Sequence, residues 1–163
     1  MVTFRTADAR DIPLIRELSR EIWHRHYVSI ITHEQIDCML ARMYAPELLE
    51  RELAEGVAWR IIEVDGRTAG YVSFSMTGPA ECKLHKIYLS LELHGRGIGR
   101  KALDEAAAYA RAHGAETIFL MVNRANEKAL RAYRAYGFQV AESIDWEFAP
   151  GFILNDYRMS LHL

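Results

Sequence analysis

The sequence is poor in the features that mark secreted and membrane-bound proteins. Its two cysteines, Cys38 and Cys82, lie in separate apolar segments, which favours buried free thiols over a disulfide or a metal site. No apolar run approaches the roughly 18 residues of a membrane-spanning helix. The charged N-terminus "MVTFRTADARD" lacks the apolar core of a signal peptide. We therefore expect a cytoplasmic protein with no membrane partner.

An excess of charge of one sign is also absent. The formal net charge is −2 and the pI is near 6.4, so we expect no general attraction to nucleic acid. Metal-site patterns are equally scarce. "HEQID" at His33 lacks the second histidine of H-E-x-x-H, while His24 and His26 are two apart on a predicted helix and diverge. We expect no metal site.

Apolar residues, in contrast, are plentiful enough for a proper core. Half of the 163 residues are hydrophobic, and helical and strand patterns alternate without a linker or repeat, so we expect a single domain over residues 1–163. Helices are predicted to begin at Asp8 or Asp11, at Thr32 and at Pro46. The full order is strand, three helices, three strands, helix, strand, helix and two strands. This order predicts an α/β fold with a mixed sheet between helices.

The stretch "HGRGIGRKAL" carries the clearest functional signal. Gly95, Gly97 and Gly99 join the strand "CKLHKIYLSL" to a helix predicted to run to His113. A helix N-terminus has unpaired N–H groups and about half a positive charge, and glycines let an anion approach those groups. Cationic side chains flank the glycines at Arg96, Arg100 and Lys101. The stretch therefore predicts a phosphate or pyrophosphate site.

Two familiar nucleotide motifs do not fit this stretch. The dinucleotide pattern G-x-G-x-x-G fails because Arg100 stands where the third glycine belongs. The G-x-x-x-x-G-K-[ST] loop of nucleoside-triphosphate enzymes fails because Lys101 is followed by Ala102. ATP and NAD are thereby disfavoured as ligands. The alternative to a phosphate site is a glycine-rich turn that only links a strand to a helix. In that case the protein would be an α/β interaction domain.

The same residues resemble the GNAT superfamily of N-acetyltransferases. "HGRGIGRKAL" is similar to its acetyl-CoA-binding loop, R/Q-x-x-G-x-G/A, and "IYLS" resembles the strand that precedes that loop. "NRANEKALRAYRAYGF" resembles the family's N-x-x-A-x-x-x-Y-x-x-x-G-F segment. His94 departs from the family's usual Gln or Arg, and we expect this change to be tolerated because backbone amides bind the phosphate.

The resemblance implies a mixed, mostly antiparallel central sheet of about six to seven strands and acetyl-CoA as co-substrate. The pantetheine arm would pair with the strand backbone and the pyrophosphate with the amides from Arg96 to Lys101. Asn126 would contact the arm, and an unpaired amide near Ile87 would stabilise negative charge on the thioester oxygen. The implied cofactor-binding residues are Ile87, Tyr88, Leu89, His94, Gly95, Arg96, Gly97, Ile98, Gly99, Arg100, Lys101, Asn126 and Tyr133.

The implied reaction is direct attack of a primary amine on the thioester within a ternary complex. Tyr133 would lie near the sulfur, and a phenol with a pKa of about 10 can return a proton to the departing thiolate. Alternatively, Tyr133 is an aromatic residue on a helix face that packs into the core. An alkyl amine is mostly protonated at pH 7, so a base or a proton-accepting water is needed. Glu81 and His85 are the candidate bases, or else they are ordinary strand-edge residues.

The identity of the acceptor amine is the feature of the reaction that the sequence specifies least. "WHRHYVSIITHEQIDCML" and "FILNDYRMSL" are similar to a bacterial branch with spermidine and spermine acetyltransferases, which implies a small-molecule amine acceptor. Trp23 and Tyr27 share a helix face near the implied acceptor site, and core packing explains them equally well. Carboxylates available to a polyamine are Glu34, Asp37, Asp145, Glu147 and Asp156. A protein or peptide N-acetyltransferase and a non-catalytic acyl-CoA-binding module remain alternatives. A homodimer through the C-terminal strands is compatible with the pattern.

Overall fold

The computed structural model describes all 163 residues and contains one seven-stranded sheet with five α-helices. The strands are β1 Val2–Thr6, β2 Ala58–Val64, β3 Arg67–Met76, β4 Glu81–Leu89, β5 Thr117–Asn123, β6 Gln139–Ala149 and β7 Phe152–His162. The helices are α1 Ile12–His26, α2 His33–Met43, α3 Pro46–Ala54, α4 Ile98–Ala112 and α5 Glu127–Tyr136. The predicted order of elements is confirmed.

The sheet has the order β1-β2-β3-β4-β5-β7-β6. Every neighbouring pair is antiparallel except β4 and β5, which are parallel. The mixed, mostly antiparallel sheet is therefore confirmed. A parallel pair needs a crossover, and α4 supplies it between β4 and β5.

The one parallel pairing is short, and this decides where a ligand can enter the sheet. Glu81–Lys83 of β4 pair with Thr117–Phe119 of β5, and beyond these three residues the strands separate. The remaining edges, residues 84–89 of β4 and 120–123 of β5, share no ladder. The separated strand ends leave a cleft in the middle of the sheet.

Local signals in the sequence set several boundaries. Thr32 and Gln35 form the predicted capping box at the start of α2. Asp65 and Gly66 both have positive φ, as a two-residue hairpin turn requires. The last hairpin is longer than predicted, because β6 continues past the "FQVAES" segment to Ala149.

Apolar residues fill both faces of the sheet. One face packs under α1–α3 around Trp23, Trp59 and Tyr71, and the other packs under α4 and α5 around Phe74 and Leu103. At about 25 cal/mol per Å² of buried apolar surface, such side chains are the main stabilising contribution. The same clusters include side chains of β4 and β5, the two strands that border the cleft.

The outer strand β6 forms one edge of the sheet, and most of its residues are exposed. Edge strands carry unpaired backbone groups that a second chain can use. A homodimer through this edge stays a prediction. No helix in the structure has both the length and the apolar character that crossing a membrane requires.

Candidate active site

A cavity of about 600 Å³ lies where β4 and β5 separate. Residues 83–89 of β4 and 120–123 of β5 line its middle. The glycine loop and α5 line one end, while α1, α2 and the β6–β7 hairpin line the other. The cavity thus joins the predicted phosphate site to the predicted acceptor region through the cleft.

The glycine loop presents a row of unpaired donors. None of the six backbone amides from Gly95 to Arg100 donates a hydrogen bond within the protein. Gly95 and Gly97 both have φ of +77°, a conformation that glycine adopts without strain. A Cβ built on either residue meets no atom within 4 Å, so the space over the loop is open. These amides fit an anion such as a pyrophosphate.

The structure shifts the predicted set of amides by one residue. The amide of Lys101 donates to the Gly97 carbonyl at 3.3 Å and so belongs to the α4 ladder, whereas the Gly95 amide is free. Arg100 lines the cavity, with its guanidinium carbon 5.3 Å from the centre of the Tyr136 ring. Ile98 points into the core and is 3% exposed.

Arg96 and Lys101 have exposed side chains that do not line the cavity. The sequence predicts that both residues contribute charge at the rim and a backbone donor, and the Arg96 amide is indeed unpaired. Because the Lys101 amide is already paired, that residue contributes its charge alone.

His94 has a structural task that the sequence pattern does not reveal. Its Nε2 lies 2.8 Å from the backbone oxygen of Leu89 and donates to it. This bond ties the start of the glycine loop to the end of β4. Ile87, Tyr88 and Leu89 all line the cavity, on the part of β4 that has no β5 partner. Their backbone is therefore available to a ligand that lies along the strand.

Asn126, which caps the start of α5, and Tyr133 within α5 line the same cavity. Asn126 is 5% exposed and caps α5, with its Oδ1 accepting from the Ala129 amide at 3.3 Å. Its Nδ2 lies 3.4 Å from Nε2 of His26. The Tyr133 hydroxyl has no hydrogen-bond partner within the protein. Burial raises the pKa of Tyr133 above its ordinary value, as Tyr27 does to a lesser degree, so the phenol stays protonated at neutral pH.

Glu81 does not reach the cavity, which corrects one of the two predicted bases. It begins β4 in the short paired segment, away from the point where the strands part. Its carboxylate accepts from Thr77 Oγ1 at 3.0 Å and from Arg158 at 2.7 Å. A carboxylate used in this way serves the structure, and Glu81 leaves the set of candidate catalytic residues.

His85 lines the cavity, but its basicity is low. Ser73 lies opposite Lys86 and Phe74 opposite Leu84, so His85 is the extra residue of a β-bulge. Its Nε2 lies 2.7 Å from Ser75 Oγ. Burial, with smaller effects of Lys83 and Lys86, lowers the pKa of His85 to about 4. Such a histidine is neutral at pH 7 and is a weak proton acceptor.

Aromatic side chains form much of the acceptor end. Trp23 of α1 and Tyr27, which follows the last residue of α1, both line the cavity, and both also pack with the core cluster under the helices. The hydroxyl oxygens of Tyr27 and Tyr88 lie 3.0 Å apart. Burial raises the pKa of both tyrosines, so each remains a neutral donor or acceptor.

The β6–β7 hairpin meets α2 beside this end of the cavity. Phe148 of β6 lines the cavity, and the guanidinium carbon of Arg42 on α2 lies 5.7 Å from the centre of its ring. Met39 and Met43 contribute the wall on the α2 side. The acceptor end is therefore bounded on two sides by elements that touch each other.

Asp156 is the one carboxylate that lines the cavity. The other four acidic residues proposed for a polyamine do not line it: Glu34, Asp37, Asp145 and Glu147. Asp37 lies 2.8 Å from His24, and Asp145 pairs with Arg124. Polyamine binding within the cavity would thus depend on a single acidic side chain.

Some lining residues carried no signal in the sequence. His26 and Lys86 look like ordinary helix and strand residues, and Trp146 belongs to the part of β6 that was not predicted. Burial lowers the pKa of Lys86, whose ammonium lies 4.0 Å from Glu52 and 5.2 Å from the Trp59 ring centre. Only the packing of distant segments brings these groups to one place. No three His, Cys, Asp or Glu side chains are grouped so as to hold a metal ion.

Comparison with known families and proteins gives consistent matches. Residues 15–138 match the model of the Acetyltransferase (GNAT) family. The N-alpha-acetyltransferase RimI of Mycobacterium tuberculosis is 35% identical over 100 residues, which cover 59% of this chain and 61% of that protein. An uncharacterized N-acetyltransferase of Methanocaldococcus jannaschii is 27% identical over 64% of this chain and 47% of its own length. The chain thus matches less than two thirds of the length of these relatives.

Other matches extend over nearly the whole chain. The spermidine N(1)-acetyltransferase of Thermoplasma acidophilum is 23% identical over 152 residues, 90% of this chain and 94% of that protein. The crystal structure of the PaiA N-acetyltransferase from the same organism, in complex with coenzyme A, superposes with a TM-score of 0.85. It covers 100% of this chain and 99% of its own at 22% identity. The two proteins share their fold.

Proposed function

Because the chain belongs to the GNAT acetyltransferase family, we propose that it is an enzyme that transfers an acetyl group from acetyl-CoA to the primary amine of a small molecule. The observation that carries the proposal is the placement of three features along one cavity. These are the unpaired amides of the glycine loop, the separated edges of β4 and β5, and the hydroxyl of Tyr133.

Each feature suits one part of acetyl-CoA. The amides from Gly95 to Arg100 would bind the pyrophosphate, and Arg100 adds a cation beside them. The free edge of β4 at Ile87–Leu89 would pair with the amides of the pantetheine arm. Asn126, at the start of α5, lines the same cavity and would contact the same arm. The thioester would then lie where the strands part.

Tyr133 is suited to protonating the departing thiolate. Its hydroxyl is not engaged by any protein group, and its raised pKa keeps it protonated. Transfer from such a phenol to a thiol of ordinary pKa about 8.5 is uphill, at about 1.4 kcal/mol per pKa unit. Burial in the same cavity also raises the pKa of the thiol, so the difference between the pKa values of the phenol and the thiol becomes smaller. The amine nitrogen attacks directly, and no covalent enzyme intermediate is proposed.

The shape of the acceptor end favours a small molecule over a polypeptide. A peptide strand needs an open groove. Here Arg42 of α2 contacts Phe148 of the β6–β7 hairpin, and this contact closes the side of the cavity through which a peptide would extend. The full-length similarity to a spermidine N(1)-acetyltransferase makes a polyamine the first acceptor to test. The similarity to RimI makes a peptide α-amine the second.

The test measures thiol release from acetyl-CoA against spermidine, spermine, putrescine, lysine, aminoglycosides and N-terminal peptides. Acetyl-CoA binding is measured in parallel by calorimetry. Turnover of a small amine is expected, with peptides inactive. Turnover of peptides alone would replace the small acceptor with a polypeptide. Binding without turnover of any amine would indicate a non-catalytic acyl-CoA module, and absence of binding would refute the proposal.

A further inference from the structure

Asp156 stands out because it is buried without a charged partner. It is 8% exposed, and no lysine, arginine or histidine lies within 4.0 Å of its carboxylate. Trp146 Nε1 donates to Oδ2 at 3.0 Å, while Oδ1 accepts no hydrogen bond within the protein. A buried carboxylate without a cation costs free energy. Such a group is well suited to a cation that arrives from outside.

The position of Asp156 is equally specific. It lies on β7 opposite Asn123, the last residue of β5, at the level where β4 and β5 have already parted. Tyr27, Tyr133 and Asp156 all line the same cavity, and Tyr27 lies close enough for the Asp156 charge to contribute to its raised pKa. Asp156 therefore lies on the same cavity as the proposed acid, on the side formed by the β6–β7 hairpin.

We propose that Asp156 binds the ammonium group of the acceptor and takes a proton from it, which makes this residue the general base that Glu81 and His85 do not supply. The inference rests on the proposed acetyl transfer to a small primary amine. It also restricts the chemistry of the acceptor. A single buried carboxylate binds one ammonium group, so any further cationic group of the acceptor would lie away from Asp156.

Asp156, Tyr133 and water are sufficient to balance the protons of the reaction. The bound ammonium gives one proton to Asp156 and becomes a neutral amine, whose nitrogen attacks the thioester carbon. A nitrogen–carbon bond forms and the carbon–sulfur bond breaks. Tyr133 gives its proton to the departing thiolate, and the second proton of the nitrogen then passes to the Tyr133 oxygen and restores the phenol. The third proton stays on the product amide, and Asp156 releases its proton to water.

The surroundings of Asp156 support a role in proton transfer. Burial raises its pKa above the ordinary 3.8, while the Trp146 hydrogen bond and the more distant Arg124 lower it in part. Tyr27, which follows the last residue of α1, is near it, and its neutral hydroxyl adds no charge. Arg124 is not a competing partner, because it pairs with Asp145. A carboxylate with a raised pKa is a stronger base than an ordinary one.

The experiment compares wild type with Asp156→Asn and with Glu142→Gln, a matched loss of a carboxylate on the exposed strand of the same hairpin. For Asp156→Asn we expect kcat to fall about 100-fold or more, with acetyl-CoA affinity within about threefold. Wild-type kcat should decline toward acid as Asp156 is protonated, and the variant should lack that decline. Glu142→Gln should match wild type. A kcat for Asp156→Asn within threefold of wild type would overturn the proposal.

Two further measurements separate the possible failures. The charged Asp156 costs stability at neutral pH because its pKa is raised, so Asp156→Asn should melt at the same or a higher temperature. If wild type acetylates no amine, spermidine is titrated into the protein with CoA present. Binding to wild type and not to Asp156→Asn would still support the ammonium site. Equal binding to both, or to neither, would refute it.

Discussion

Arg158 of β7 donates a hydrogen bond of 2.7 Å to Glu81 at the start of β4, across the intervening strand β5. The Arg158 guanidinium carbon also lies 3.7 Å from the centre of the Phe119 ring of β5. These contacts join three strands at the end where β4 and β5 still pair. They stabilise the end of the sheet at which β4 and β5 are still paired, and the cleft begins beyond this paired segment.

Glu81→Gln should therefore affect stability more than catalysis. Both partners are partly exposed, so the lost ion pair should lower the free energy of unfolding by no more than about 1 kcal/mol. Urea unfolding measures this loss. Thiol release by the folded variant should stay within about threefold of wild type. A 100-fold fall in kcat at unchanged stability would return Glu81 to the candidate bases.

His85 should make the protein less stable in acid. The folded state keeps its pKa at about 4 against an ordinary 6.5, so the unfolded chain binds the extra proton as pH falls through 6.5. This residue should lower the free energy of unfolding by roughly 2 kcal/mol between pH 7 and pH 5. His85→Gln should lose less stability over that interval in urea titrations. An equal loss in both proteins would contradict the assignment.

Tyr133→Phe should reduce kcat about 100-fold or more, because it removes the proton that the departing thiolate requires. Acetyl-CoA affinity, measured by calorimetry, should change little. Tyr109→Phe is the matched control, since Tyr109 lies on α4 against Phe74 and outside the cavity. Equal rates for the two variants would assign Tyr133 to packing alone.

Gly97→Ala should weaken acetyl-CoA binding about tenfold or more. Its φ of +77° strains any other residue, and the added methyl group occupies the space above the unpaired amides. Gly114→Ala is the control, because Gly114 ends α4 at φ +82° with equally open surroundings. Both variants should lose about 1–2 kcal/mol of stability. Only Gly97→Ala should lose affinity in calorimetry, and a matching loss in both would contradict the phosphate site.

Local patterns fixed much of the fold in advance. Caps, turns and hydrophobic periods depend on residues a few positions apart, and this explains why the capping box at Thr32 and the turn at Asp65 were predictable. The glycine loop with its free amides was predictable for the same reason, because a glycine-rich loop and a helix start are contiguous in the chain.

The end of the cavity that meets the acceptor could not be derived in this way. Trp146 and Asp156 meet only because β6 and β7 pair, and His26 meets Asn126 across 100 positions of sequence. The direction of His85 depends on a bulge, which shifts the strand's alternation by one residue. Such a shift is a property of strand pairing and leaves no mark in the local pattern.

The sequence by itself determined the order of elements, the glycine loop that opens α4 and the family. Those depend on short-range backbone geometry and contiguous motifs. Tertiary structure alone decided which ionisable groups share the cavity and what charge they carry. It paired Glu81 with Arg158, lowered the pKa of His85 and buried Asp156 without a partner, because pKa values depend on burial and neighbours that only the packed fold supplies.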